Sequence, residues 1–260
     1  MKFLKLCSLA AISALLVLTS CLGESDTTQN LYDIPGVIKW QGDRNVAVTP
    51  FFVISMSDLD KFMTGDCVWV SFAYDSKTAG DENANGYSLV TPIKATTRLD
   101  EGRLIWNKTD TATLMLNEIE VDHGIGSYDY NFYSYIEGYM FLASAFTGLT
   151  DQRNSWELYY DVDQTPKVGA SSQGEDINIY TLYMRAKVVQ PGKTPEKSDF
   201  NLNTYQIKSL VDRLNEKEKA IGKKAYGVNV RFLNKISKDS TELTWKDSTY
   251  PILFEVSKEN

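Results

Sequence analysis

The chain has 260 residues, 43% hydrophobic, 23% charged and 12% aromatic, a globular composition that excludes wholesale disorder, collagen and multi-span membrane proteins. Its formal charge of -7 offers no positive field to phosphates, so no nucleic-acid partner is expected. One histidine, His123, rules out zinc centres built on two or three imidazoles, and no cofactor is expected.

In chain order, Met1-Lys2-Phe3-Leu4-Lys5 is a basic start, followed by an apolar run, Leu6 to Leu18, broken only by Ser8 and Ser13. As a helix this run would reach about 20 Å, short of a ~30 Å hydrocarbon core, so residues 1–20 predict a secretory signal rather than a permanent span. The segment ends in Leu18-Thr19-Ser20-Cys21, which resembles the lipobox of bacterial lipoproteins. That resemblance implies cleavage before Cys21, a diacylglyceryl thioether on its sulfur and an acylated amino terminus, of the palmitate type. Several acyl chains hold firmly, since each buried CH₂ adds about 0.8 kcal/mol. Loss of Lys2 and Lys5 with the signal moves the charge from -7 to -9. Cys7 leaves too, and Cys67 remains as the one unmodified cysteine, so no intramolecular disulfide is expected. Residues 21–30, polar and without an apolar period, predict a flexible tether.

Strand signals dominate the rest of the chain. Val46–Val48 and Phe51–Ile54 are short pieces divided by Pro50, and Cys67 to Tyr74 alternates most cleanly after the Gly65-Asp66 turn. Asn85-Gly86 is a hairpin signal ahead of a strand over Tyr87–Thr97. Further strands are predicted over Leu114–Val121, Tyr128–Ile136, Tyr139–Phe146, Trp156–Val162, Ile177–Val189, Val228–Leu233 and Ile252–Val256. One helix is predicted over Ser209–Ile221, with Ser209 as N-cap and Gly222 as its stop. Short strands at close spacing predict an all-β protein made of barrel or sandwich pieces. No 20–50-residue period repeats, which leaves solenoids and propellers without support. The polar stretch Trp106 to Thr111 sets a boundary between units at 31–108 and 109–260.

Gly65-Asp66-Cys67-Val68-Trp69-Val70-Ser71-Phe72-Ala73-Tyr74 resembles the G-D-x-V-x-V-x-Y strand of NigD-like lipoproteins of Bacteroidetes, with Phe72 where that pattern has Tyr. The strand Ile179 to Ala186 and the last strands also fit that layout. The resemblance implies an N-terminal OB-like barrel, a C-terminal β-sandwich with one short helix, and a non-enzymatic role in the cell envelope. It carries over no catalytic residues.

Several constellations bear chemistry. Asp81, Asn83 and Asn85 match the first half of a calcium loop, but Pro92 stands where a bidentate Glu belongs, so a polar hairpin tip is the preferred reading. Cys67, inside an alternating strand, reads as a buried structural thiol rather than a nucleophile paired with His123. Asp161 and Asp163 would lie about 7 Å apart on one strand face, a spacing open to an inverting glycoside hydrolase or to a plain solvated edge, which is preferred. Tyr128, Tyr130 and Phe132 share one strand face and Tyr133 and Tyr135 the other, an aromatic patch able to stack on a ligand. Asp26-Thr27-Thr28, Asp110-Thr111-Ala112, Asp239-Ser240-Thr241 and Asp247-Ser248-Thr249 resemble the Bacteroidetes O-glycosylation sequon, making Thr27, Thr111, Ser240 and Ser248 candidate acceptors. Together these predict an outer-membrane lipoprotein, on the periplasmic or surface side. It is held by its lipid and acts as a non-catalytic binding module for a glycan or envelope protein. The rivals are a fimbrial assembly subunit joined by strand exchange and a glycan-acting hydrolase.

Overall fold

A computed structural model describes residues 28–75, 86–124, 135–171, 174–240, 242–248 and 251–256, with 123 and 124 by backbone only. The first sheet comprises β1 (Thr28–Gln41), β2 (Arg44–Val48), β3 (Val53–Ser55), β4 (Cys67–Asp75), β5 (Ser88–Leu89), β6 (Thr91–Pro92) and β7 (Thr97–Arg98), with a short 3-10 helix at Ser57–Lys61. β1 lies between β2 and β4, antiparallel to both. β5 runs parallel to β3 while β6 runs antiparallel to β4, so Ser88–Pro92 ties the two edges together and nearly closes an OB-like barrel. The alternation in β4 has the predicted outcome. Val68, Val70 and Phe72 point into the barrel with Ile34, Ile38, Ile54 and Leu59, and Cys67 points the other way.

The chain continues as β8 (Asp100–Glu101), β9 (Arg103–Ile105), β10 (His123–Gly124), β11 (Tyr135–Ile136), β12 (Tyr139–Thr150), β13 (Arg153–Tyr160), β14 (Lys167–Ala170), β15 (Asp176–Gln190), β16 (Lys193–Gln206), α1 (Lys208–Ala220), β17 (Ala225–Ile236), β18 (Leu243–Asp247) and β19 (Ile252–Glu255). One sheet runs β10-β12-β16-β8, with β11 on β12. The other runs β18-β17-β15-β13-β9, with β14 on β15 and β19 on β17. Their inner faces form a sandwich core in which Met140, Leu142 and Tyr205 meet Trp156, Leu158, Leu182 and Met184, and α1 adds Leu210, Val211 and Leu214. Each such side chain contributes about 1.5–3 kcal/mol on burial. Tyr205 fits only because residue 102 is glycine: a Cβ there would come within 2.2 Å of the ring.

A third apolar cluster joins the two units. Val37 and Cys67 of the barrel meet Ile136, Phe141, Ala143 and Leu202 of the sandwich, and Lys39 pairs with Glu137 at 2.7 Å beside them. The all-β barrel-then-sandwich architecture, with one α-helix among the described residues, is the one expected. Details differ. α1 starts at Lys208 with Ile207 as its N-cap and no side-chain cap, so Ser209 lies inside the helix. Leu114–Val121 is an irregular segment with only one bridge, Glu118 to Lys187, instead of a strand. Thr28–Asn30, assigned to the tether by its polarity, is paired with Ala73–Asp75. β8 and β9 already pair with β16 and β13, so the chain enters the sandwich near residue 100, ahead of the polar stretch at 106–111.

Candidate functional site

A cleft of about 690 Å³ lies at the barrel mouth, within the usual range for small-molecule sites. Side chains alternate along β1, and Ile38 is the last of its row to be buried inside the barrel. Trp40 continues the same row past the barrel's end, so its indole stands in the cleft, 63% exposed. Leu89 of the closing segment, 58% exposed, lines the cleft as well. The tight β1–β2 turn supplies Asp43 and Arg44, and the 3-10 helix supplies Asp60.

Arg44 Nε donates to Asp43 Oδ1 at 3.2 Å, and its guanidinium lies 5.6 Å from the centre of the Tyr87 ring. The Tyr87 hydroxyl donates to the same Asp43 oxygen at 3.4 Å. Hydrogen bonding and charge from Arg44 hold the Asp43 carboxyl below the usual carboxylate range, so it is ionised at neutral pH. Two buried polar residues beneath are locked by the backbone. Asn45 Nδ2 donates to the Phe62 and Leu59 carbonyls at 2.8 and 3.2 Å, and Ser55 Oγ donates to the Asn45 carbonyl at 3.2 Å. The cleft thus has a fixed polar floor and an exposed rim of one indole, one aliphatic side chain and planar charged groups. The ionisable groups among its described lining residues are Asp43, Arg44 and Asp60.

The residues singled out from sequence are dispersed. Cys21, Thr27, Asp81, Asn83, Asn85, Tyr128, Tyr130, Phe132 and Tyr133 lie outside the described residues. Tyr135 is half-buried on β11 and meets Phe254 edge-on at 5.1 Å, packed against the sandwich core. Ser240 is exposed in a turn, while Thr111 is half-buried with its carbonyl accepting from Trp245 Nε1 at 2.9 Å. Ser248 does not suit an acceptor: it is buried, donating to Asn229 Oδ1 at 2.7 Å and accepting from the Val230 N–H at 3.2 Å. Asp161 and Asp163 form no strand-face pair. They sit in the turn after β13, where Asp161 Oδ1 accepts the Asp163 N–H at 3.0 Å. Cys67 is buried in the barrel–sandwich joint, and burial pushes its thiol up to about 12. Among the described residues, no three His, Cys, Asp or Glu side chains gather in a metal-binding group. Trp40 escapes a reading of the sequence in which strand signals begin only at Val46. The available clue is a tryptophan just before the Gln41-Gly42-Asp43 turn.

The architecture recurs elsewhere. An uncharacterized protein from Parabacteroides merdae ATCC 43184 aligns over 88% of this chain and 100% of its own, with a TM-score of 0.71 and 22% identity. A protein described as a candidate lipoprotein from Bacteroides fragilis NCTC 9343 aligns over 90% and 99%, with a TM-score of 0.54 and 11% identity. A NigD-like immunity protein from Bacteroides caccae ATCC 43185 aligns over 86% and 94%, with a TM-score of 0.44 and 10% identity. No family model and no curated relative matches the sequence. At these identities the shared property is the fold.

Proposed function

We propose that this chain is an outer-membrane lipoprotein of the NigD-like kind, anchored through Cys21, whose barrel binds a ligand in the Trp40 cleft without transforming it. The observation that carries this reading is the exposed indole of Trp40 over a rigid polar floor. The lipobox-like Leu18-Thr19-Ser20-Cys21 and the likeness to the Bacteroides fragilis protein support the anchor. The placement of the cleft supports binding: it involves the first inter-strand turn and the β2–β3 side of an OB-like barrel, where such barrels commonly take their ligands, an argument by fold analogy. In this reading residues 1–20 are the signal, the barrel runs from Thr28 to Arg98, and the sandwich follows from Asp100. Thr27, Thr111 and Ser240 are its O-glycosylation candidates.

The fimbrial reading has less to stand on. β1 is paired on both sides, so strand exchange there would dismantle the barrel. Beyond its pairing with β8, β16 carries Lys193, Pro195, Glu196 and Lys197, charge and proline of the sort that resist strand addition. Hydrogen–deuterium exchange of the purified protein, with and without detergent extract of the host envelope, tests the binding reading. Extract should slow exchange over residues 40–45 and 88–92. Unchanged exchange there overturns it.

A further inference from the structure

We infer that the Trp40 cleft takes an uncharged saccharide, with a C–H face of one sugar ring on the indole and its hydroxyls reaching Asp43, Arg44 and Asp60. This rests on the binding-module reading and names the ligand class. The cleft rim pairs a large exposed apolar surface with planar polar groups, of which Asp43 and Arg44 are held against each other, and a sugar ring is amphipathic in the same way.

Other ligand classes fit less well. An anionic ligand would meet two carboxylates, Asp43 and Asp60, against one guanidinium that already engages Asp43 and Tyr87. An acyl chain would lie on a floor containing Asn45 and Ser55. A peptide added as a strand needs a free sheet edge, and beside the cleft β5 and β6 already occupy the edges of β3 and β4. A neutral sugar asks for none of these changes. Its hydroxyls can donate to the Asp43 and Asp60 carboxyl oxygens and accept from Arg44.

The test titrates the mature protein, solubilised in a detergent without a sugar headgroup, with maltohexaose, cellohexaose, xylohexaose, mannohexaose and chitohexaose, and with anionic hexagalacturonate. Binding is read by calorimetry and by tryptophan fluorescence. At least one neutral hexasaccharide should bind. Trp40→Ala should weaken it at least tenfold, and Trp40→Phe, which keeps a ring, should weaken it less. Because Trp40 is mostly exposed, the thermal unfolding midpoint of Trp40→Ala should match the parent. The inference fails if no neutral hexasaccharide binds, if hexagalacturonate binds more tightly, or if Trp40→Ala binds as the parent does. Failure on all sugars while envelope extract still protects residues 40–45 removes the saccharide and leaves the binding module; loss of both effects removes both.

Discussion

Arg185, 1% exposed, lies in the sandwich with every N–H donor engaged. Nε and Nη2 grip the Glu118 carboxylate at 2.6 and 2.5 Å, Nη1 donates to Thr109 Oγ1 and the Asp110 carbonyl, and Nη2 also reaches the Thr113 carbonyl. One side chain thereby pins residues 109–118 to the sheet that contains β15. Removing one partner would strand a buried charge, so Glu118→Ala should cost about 3–5 kcal/mol in urea denaturation. The exposed Lys208–Asp212 pair should by contrast lose less than about 1 kcal/mol in Lys208→Ala. Equal effects would show that the strap is not held by this pair. The strap also explains why Leu114–Val121 reads as a strand without being one: its apolar letters suit a strand, and nothing local announces an arginine some 70 residues later in the chain. Cys67 gives a pH signature. Its folded thiol titrates at about 12 against an ordinary 9.0, so the folded state keeps its proton longer than the unfolded one. That contribution is fully present below about pH 9 and is lost as pH rises toward 12. Burial moves the hydroxyls of Tyr205, Tyr180 and Tyr226 in the same direction. The melting temperature should therefore fall steadily above pH 9, and iodoacetamide should leave Cys67 unmodified at pH 7.5 in native protein; rapid alkylation would contradict the buried placement.

Among the elements, α1 shows how local signals decide an end. Gly222, at φ +74°, donates to the Lys219 carbonyl, and Lys223 donates to the Glu218 carbonyl, both at 3.0 Å, closing the helix in a Schellman turn. An added Cβ would meet nothing within 4 Å, so Gly222→Ala tests backbone strain alone. It should destabilise the protein by about 1–2 kcal/mol in denaturant melts; no change would contradict the left-handed turn. The helix stop is legible in the sequence because glycine chemistry is local. β4 is legible because one of its faces is buried in the barrel and the other meets the joint only in part, which leaves a clean alternation. β16 is not. Its first half, Lys193 to Asp199, is polar and largely exposed, and it is a strand because β12 pairs with it, with one register shift that leaves out Thr194 and Pro195. The amino-terminal end of β1 is hidden for the same reason, since β4 alone supports its polar residues. Trp40 is hidden with it, since its meaning depends on where the barrel ends.

At the scale of the whole molecule, the barrel presents the cleft and the sandwich carries the bulk of the buried core, with Val37, Cys67, Phe141 and Leu202 packed between them. In the proposed reading, removal of the signal would leave nine net negative charges, so that acyl chains on Cys21 rather than surface charge would attach the protein to an often anionic bilayer. Cys21→Ser should accordingly shift the protein from the detergent phase to the aqueous phase in cloud-point partitioning, and retention in the detergent phase would contradict the anchor. Ligand binding in the cleft is tested in growing host cells by a photo-crosslinking residue placed at Leu89. Val168, exposed on β14 of the sandwich, serves as the control position. Position 89 should give a discrete adduct that Trp40→Ala abolishes, and position 168 none. Equal labelling at both positions, or no adduct at 89, would contradict it.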